Sequence, residues 1–358
     1  MDGRKSALNG RYPALLSPAL EASQAPPRKA EALPTMSEPI EDHPGRILSG
    51  RYELEEPLGR GGMAVVWRGT IHGADGFRRP VAIKRIDPSY RGFLEVQEMF
   101  VEEARVGGQL QHPNIVQVYD FGADEAGERY LVSELVRGPH LGQWLSTFHA
   151  RGELAPWELV TAVGVEVLRA LDAAHFHTDR HGRSSPILHR DVTPGNILLD
   201  VSGVVKLADF GLARAMDRGQ ITRPNTVKGK LSYLAPESLQ GGPPSVSTDL
   251  FSFGVVLWEA LTGKRLFQAT RDIDVVALVR QCRVPLLSRE RPSLPLGLCA
   301  AVHRALERDP LRRFSSARAM LDSLTEVLRV LPRSVDAPAL AATFRTVSSN
   351  RAEPKTPP

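Results

Sequence analysis

The chain has 358 residues, 42% hydrophobic and 24% charged, enough to bury an ordinary core without a metal or disulfide staple. Its net charge of +4 comes from scattered arginines rather than a basic block, which argues against a nucleic-acid partner. Cys282 and Cys299 make no CxxC pair, and no run reaches the roughly 18 apolar residues of a membrane span, so a soluble chain in a reducing cytoplasm, with no membrane association, is expected.

Residues 1–48 mix Ala, Pro, Ser, Glu and Arg without helical or strand period, which predicts a disordered tail. From 52 to 136 come short strand-like runs at 65–67, 81–83, 115–118 and 130–132, interrupted by one helical stretch over 93–110. The pattern changes once, near residue 137. Beyond it the apolar spacing is helical over 157–175, 250–261, 275–282, 298–306 and 317–328. Residues 332–358 again read as a mostly disordered tail, with 340–344 able to form a short helix on binding. The expected class is α+β, with a small β-rich unit carrying one main helix and a larger helical unit.

Leu58, Gly59, Arg60, Gly61, Gly62, Met63, Ala64, Val65 and Val66 join two extended runs. Glycines there let backbone amides approach phosphate oxygens. A dinucleotide fold would follow them with a helix, whereas Val65, Val66 and Trp67 continue as strand, favouring a hairpin lid over phosphates. Lys84 closes the apolar strand 81–84, where a charge is costly unless it meets an anion, and Glu103 on the following helix can pair with it.

In His189-Arg190-Asp191-Val192-Thr193-Pro194-Gly195-Asn196 a carboxylate and an amide lie five residues apart, and Asp209-Phe210-Gly211 follows a hairpin-like stretch, 197–208. Asn196 and Asp209 are hard oxygen donors suited to magnesium with phosphate and water. Asp191 is left to orient and deprotonate a hydroxyl. His175, His177, His181 and His189 invite a zinc reading, but the loop among them and the divergent helix faces of His175 and His177 argue against it.

Taken together, the glycine loop, Val81-Ala82-Ile83-Lys84, His189-Arg190-Asp191, Asp209-Phe210-Gly211 and Ala235-Pro236-Glu237 resemble the eukaryotic-like protein kinase family, in particular its bacterial Ser/Thr branch, over 51 to about 330. The resemblance implies a two-lobed kinase domain over 49–331, divided into 49–136 and 137–331, with ATP and Mg2+ (Mn2+ as a substitute) as cofactors and proteins as substrates. It implies that Glu134 and Val136 meet adenine, that Val66, Ala82 and Leu198 sandwich the ring, and that Ser133 is a small gatekeeper. Asp249 would anchor the catalytic loop, and Arg313 would pair with Glu237.

Three departures stand out. Ala64 replaces the third glycine of the loop, a tolerable methyl group. Gly107 falls where the family places an apolar side chain that packs the main helix of the small lobe, a loss expected to let that helix swing. Thr193 stands where Ser/Thr kinases carry a lysine for the γ-phosphate, and Lys230 stands where they carry a threonine. The exchange suggests that Lys230 reaches back toward Asp191 and Thr193 and restores the cation near the transferring group. Arg190 is suited to binding phosphate on the activation segment, with Thr222 and Thr226 as candidate acceptors.

The expected function is therefore ATP-dependent phosphorylation of protein Ser/Thr hydroxyls in bacterial signalling, regulated through the activation segment. The alternative is a pseudokinase-like binding scaffold, disfavoured because Lys84, Asp191, Asn196 and Asp209 are all present.

Overall fold

The computed structural model describes residues 41–210 and 230–349. A six-stranded antiparallel sheet comes first, built from β1 (Ile47–Leu48), β2 (Tyr52–Arg60), β3 (Ala64–His72), β4 (Arg78–Ile86), β5 (Val118–Ala123) and β6 (Arg129–Glu134), in the order β1-β2-β3-β4-β6-β5. The strand expected at 115–118 is displaced: β5 begins at Val118, and Ile115 instead bridges to Leu207 in the larger lobe. Helix α1 (Leu94–Gly107) packs on the sheet with Val96, Phe100, Glu103, Ala104 and Gly107 buried, one face at helical spacing. Glu103 is thus carried inward by an otherwise apolar stripe.

Residues before the expected boundary at 49 already pack into the small lobe. Leu48 is fully buried, Asp42 and Asp124 pair with the buried guanidiniums of Arg46 and Arg85, and Arg91 also reaches Asp42. A buried cation of this kind needs several partners, and residues 42–46 supply some of them.

The larger lobe contains α2 (Leu141–His149), α3 (Trp157–His175), the hairpin β7 (Ile197–Leu199) and β8 (Val205–Leu207), α4 (Val246–Thr262), α5 (Asp272–Gln281), α6 (Leu287–Glu290), α7 (Leu296–Ala305), α8 (Ala317–Arg329) and α9 (Ala337–Ser349). α4 is buried along nearly its whole length and forms the centre of this core. Ser245 caps its start reciprocally with Thr248, and Gly263, at φ +69°, ends it.

The expectation of a mostly disordered stretch after 331 gives way over α9, where Leu340, Ala341 and Phe344 are buried. The helix needs no external partner, because the chain's own α2 supplies the apolar surface: Phe344 lies edge-on to Trp144 at 5.7 Å. Among the described residues no helix is long and apolar enough to cross a membrane.

Candidate active site

Strand register decides which side chains share the cleft. Val66 lies opposite Lys84 and Ala82 opposite Ser133, and residues directly opposite on neighbouring strands point to the same face. Val66, Ala82, Lys84 and Ser133 therefore line one side of the sheet, and all four are partly exposed. Leu198, bridged to His140 just after the inter-lobe connection, rises from the other lobe, and Glu134 and Val136 lie along the connection itself. The glycine segment is a hairpin, with Gly59 paired to Val66, Arg60 to Val65, and the Gly61 amide donating to the Ala64 carbonyl at 2.8 Å.

The Lys84 ammonium donates to Glu103 at 2.6 Å and to Asp209 at 3.0 Å. Burial alone would lower the lysine, but the Asp209 and Glu103 carboxylates more than reverse this and hold it above the ordinary range. Burial pushes the Glu103 carboxyl up to about 7 against the pull of Lys84. Asp209 is likewise disfavoured by burial, yet Lys84 leaves it below the usual carboxylate range.

Asn196 Nδ2 donates to the Asp191 carbonyl at 2.8 Å and to its carboxylate at 2.9 Å. Lys230 Nζ donates to the same carboxylate oxygen, Oδ2, at 2.7 Å. Lys230 precedes a single 3-10 turn, Leu231–Tyr233, whose three residues are buried. That turn is anchored to α4: Ser252 Oγ donates to the Tyr233 carbonyl at 2.7 Å, and the Tyr233 hydroxyl donates to Glu259 at 2.7 Å and meets Arg265. These anchoring residues carried no sequence signal, because their role exists only once α4 lies beneath the turn.

The loop bearing Asp191 is also tied to α4. Asp249 accepts from the backbone amides of His189 at 2.8 Å and Arg190 at 2.7 Å, and its Oδ2 lies 2.9 Å from His175 Nε2. Burial opposes ionisation of Asp249, but the His175 contact and the amide donors lower its pKa overall. Arg190 and Asp209 both adopt left-handed backbone angles, φ +66° and +62°, which non-glycine residues adopt only when the surroundings enforce them. The His189 ring packs on Phe210 at 4.5 Å, and its Nε2 contacts the Ala208 carbonyl. Arg313 grips Glu237 in two bonds of 2.7 and 2.8 Å.

One expectation changes. A Cβ on Gly107 would lie 2.6 Å from Val118 Cγ2, so Val118 occupies the space the missing side chain would take. The helix is held, with Glu103 on Lys84. Among the described residues there is no group of three or more His, Cys, Asp and Glu that could hold a metal ion. Thr222 and Thr226 lie outside the described residues, as does Gly211.

A lysine held between two carboxylates and facing an aspartate–asparagine pair across a two-lobed cleft is suited to holding a polyphosphate and a hydroxyl side by side. The β-sheet lobe joined to a helical lobe is the protein kinase fold. This chain belongs to the protein kinase domain family, whose model matches residues 52–324. It is 37% identical to the tyrosine-protein kinase MasK of Myxococcus xanthus over 78% of this chain and 43% of that one. It is 34% identical to the serine/threonine-protein kinase PrkC of Bacillus subtilis, over 77% and 40% of the two chains. With the serine/threonine-protein kinase PknA of Mycobacterium tuberculosis it shares 33% identity, over 79% and 62%. It thus spans about two-fifths to three-fifths of these curated relatives. The crystal structure of the Mycobacterium tuberculosis PknI kinase domain matches with a TM-score of 0.59 at 27% identity, covering 80% of this chain and 99% of that one. Members of the family use ATP and a divalent metal ion, generally magnesium, and act on proteins.

Proposed function

We propose that this chain transfers the γ-phosphoryl group of Mg-ATP to Ser and Thr hydroxyls of proteins. The observation that carries the reading is the Lys84 ammonium held between Glu103 and Asp209, in the same cleft as Asp191 and Asn196. In this reading adenine lies between Val66 and Ala82 above and Leu198 below, edge-on to Glu134 and Val136, with Ser133 behind it. Residues 58–66 cover the phosphates, and Lys84, aimed by Glu103, binds the α- and β-phosphates.

Asn196 and Asp209 supply only two protein ligand groups, which suits an ion that takes its remaining ligands from phosphate and water. A divalent ion held by Asn196 and Asp209 would supply positive charge to offset the negative charge developing on the transferring phosphoryl group. Asp191 accepts the acceptor hydroxyl proton while Asn196 Nδ2 holds its carboxylate in place. Lys230, beside that carboxylate, supplies a cation to the transferring group in place of the lysine absent at Thr193.

The test incubates purified protein with labelled ATP, magnesium and a generic basic protein, alongside Lys84→Met and Asp191→Asn, followed by phosphoamino-acid analysis. Phosphoserine and phosphothreonine are expected with the wild type alone. Phosphotyrosine as the sole product would transfer the acceptor class to that named for the Myxococcus relative. Transfer no higher than in the controls, under several activation conditions, would favour a binding scaffold. Mass spectrometry of protein from its host, compared with Asp191→Asn, tests Thr222 and Thr226 as self-modified sites.

A further inference from the structure

Helix α9 lies beyond residue 324, where the match to the family model ends, yet it is docked by a built interface. Phe344 is fully buried against Trp144 of α2, the first helix after the inter-lobe connection. At its other contact, the Ala337 carbonyl lies where a side chain on Gly203 would sit, 1.9 Å from a Cβ placed there. Gly203, at φ +93°, is in the β7–β8 turn, and Arg345 Nε donates to the Val201 carbonyl of the same turn at 3.0 Å.

The turn in its own right holds the connection between the lobes. The Val201 amide donates to the Arg137 carbonyl at 2.8 Å, the Arg137 amide to the Asp200 carboxylate at 2.9 Å, and the Leu199 amide to the Pro139 carbonyl at 2.9 Å. One turn further along α9, Val347 lines a cavity of about 450 Å³ together with Leu58, Val136 and Gly138. A continuous set of direct contacts therefore runs from α9 through Val201 and Arg137 to the edge of the cleft.

We infer that α9 is a brace for nucleotide binding, with Phe344 as its anchor and Arg345 as a positioning residue that acts through Val201 and Arg137. The inference rests on the reading that adenine binds along Val136. A connection held in one conformation spares the nucleotide the entropy of ordering it, and apparent affinity scales with the fraction of molecules in the competent arrangement. The brace supports the site rather than obstructing it: with α9 docked, Lys84 and Glu103 are paired at 2.6 Å.

The test uses the full chain with Arg345→Ala and, separately, Phe344→Ala. Steady-state kinetics are measured together with amide hydrogen exchange at Arg137, Leu199 and Val201 in nucleotide-free protein. The KM for ATP is expected to rise about three- to tenfold while kcat and the KM for the protein acceptor hold, and the three amides are expected to exchange faster. Arg345 is exposed, so its variant keeps the experiment decisive even where Phe344→Ala fails to fold. Unchanged exchange and unchanged KM for ATP in Arg345→Ala would overturn the brace, as would an equal loss in kcat and both KM values. A wild type that binds no nucleotide would instead overturn the kinase reading. The amide exchange would then still show whether α9 holds the inter-lobe connection, with faster exchange in the variants expected and unchanged exchange overturning that contact chain.

Discussion

Replacing Lys230 by alanine removes the ammonium that lies 2.7 Å from Asp191 Oδ2 and leaves the anchored turn behind it intact. An ammonium about 3 Å from a phosphoryl oxygen contributes about 1.4 kcal/mol in water and about 5.5 kcal/mol at an effective dielectric of about 20. With 46% of the Lys230 side chain exposed, solvent screening favours the lower part of that range. A loss of about 2 kcal/mol in the transition state lowers kcat about 30-fold. Single-turnover phosphorylation at saturating ATP reads this directly, and the KM for ATP should move little. The double exchange Lys230→Thr with Thr193→Lys returns the cation to the catalytic loop and should recover most of the rate. Lys230→Ala activity within about threefold of wild type, or a double exchange as slow as Lys230→Thr alone, would refute the reasoning.

Asp249→Ala strands one buried and one partly buried backbone amide, those of His189 and Arg190, at about 1–3 kcal/mol for the buried one, so urea unfolding should show a loss of about 2–4 kcal/mol. Wild-type stability in this variant would mean that α4 does not hold the loop. Gly107→Ala drives a methyl group to 2.6 Å from Val118 and should cost about 1–3 kcal/mol, and Val118→Ala in the same chain should relieve it, a coupling that a double-mutant cycle measures. Burial raises the Asp124 pKa, but Arg85 and the Glu128 amide outweigh it and leave the carboxyl below its ordinary 3.8. Its folded pKa is depressed, so its stabilisation is present above 3.8 and is lost as pH falls through the folded value. Asp124→Asn should therefore be about 3 kcal/mol less stable than wild type at neutral pH, with the gap narrowing as acid protonates the carboxyl; a gap that stays constant throughout the acid titration of the folded wild type would contradict this.

Much of the site was legible in the sequence, because its chemistry is packed into short local segments. Asp191 and Asn196 lie within one loop of eight residues, and Asp209 follows after a single hairpin, so spacing alone suggests which groups converge. Lys84 was legible as a charge at the end of an apolar strand. Helix α3 appears over the residues expected, 157–175, because its apolar periodicity is long and unbroken. Strand β5 was misplaced because a short apolar run does not reveal whether it pairs with a sheet or bridges to another lobe.

Other features waited on the tertiary structure. The sequence supplied Leu340, Phe344 and Val347 at helical spacing, but thirteen residues rich in Ala, Ser and Thr are marginal as an isolated helix. Trp144 and the β7–β8 turn, some 140 to 200 residues away in the chain, make α9 stable. Gly107 looked like a lost contact and became a close-packed one only when Val118 arrived from strand β5. The exchange of Thr193 and Lys230 could be read along the chain, whereas the ion pair with Asp191 depends on α4 anchoring Tyr233. Sequence alone determined the chemical groups and their local order, since these are properties of neighbouring residues. Which groups meet across long separations was decided by the packed core, because only burial compensates the entropy of bringing distant segments together.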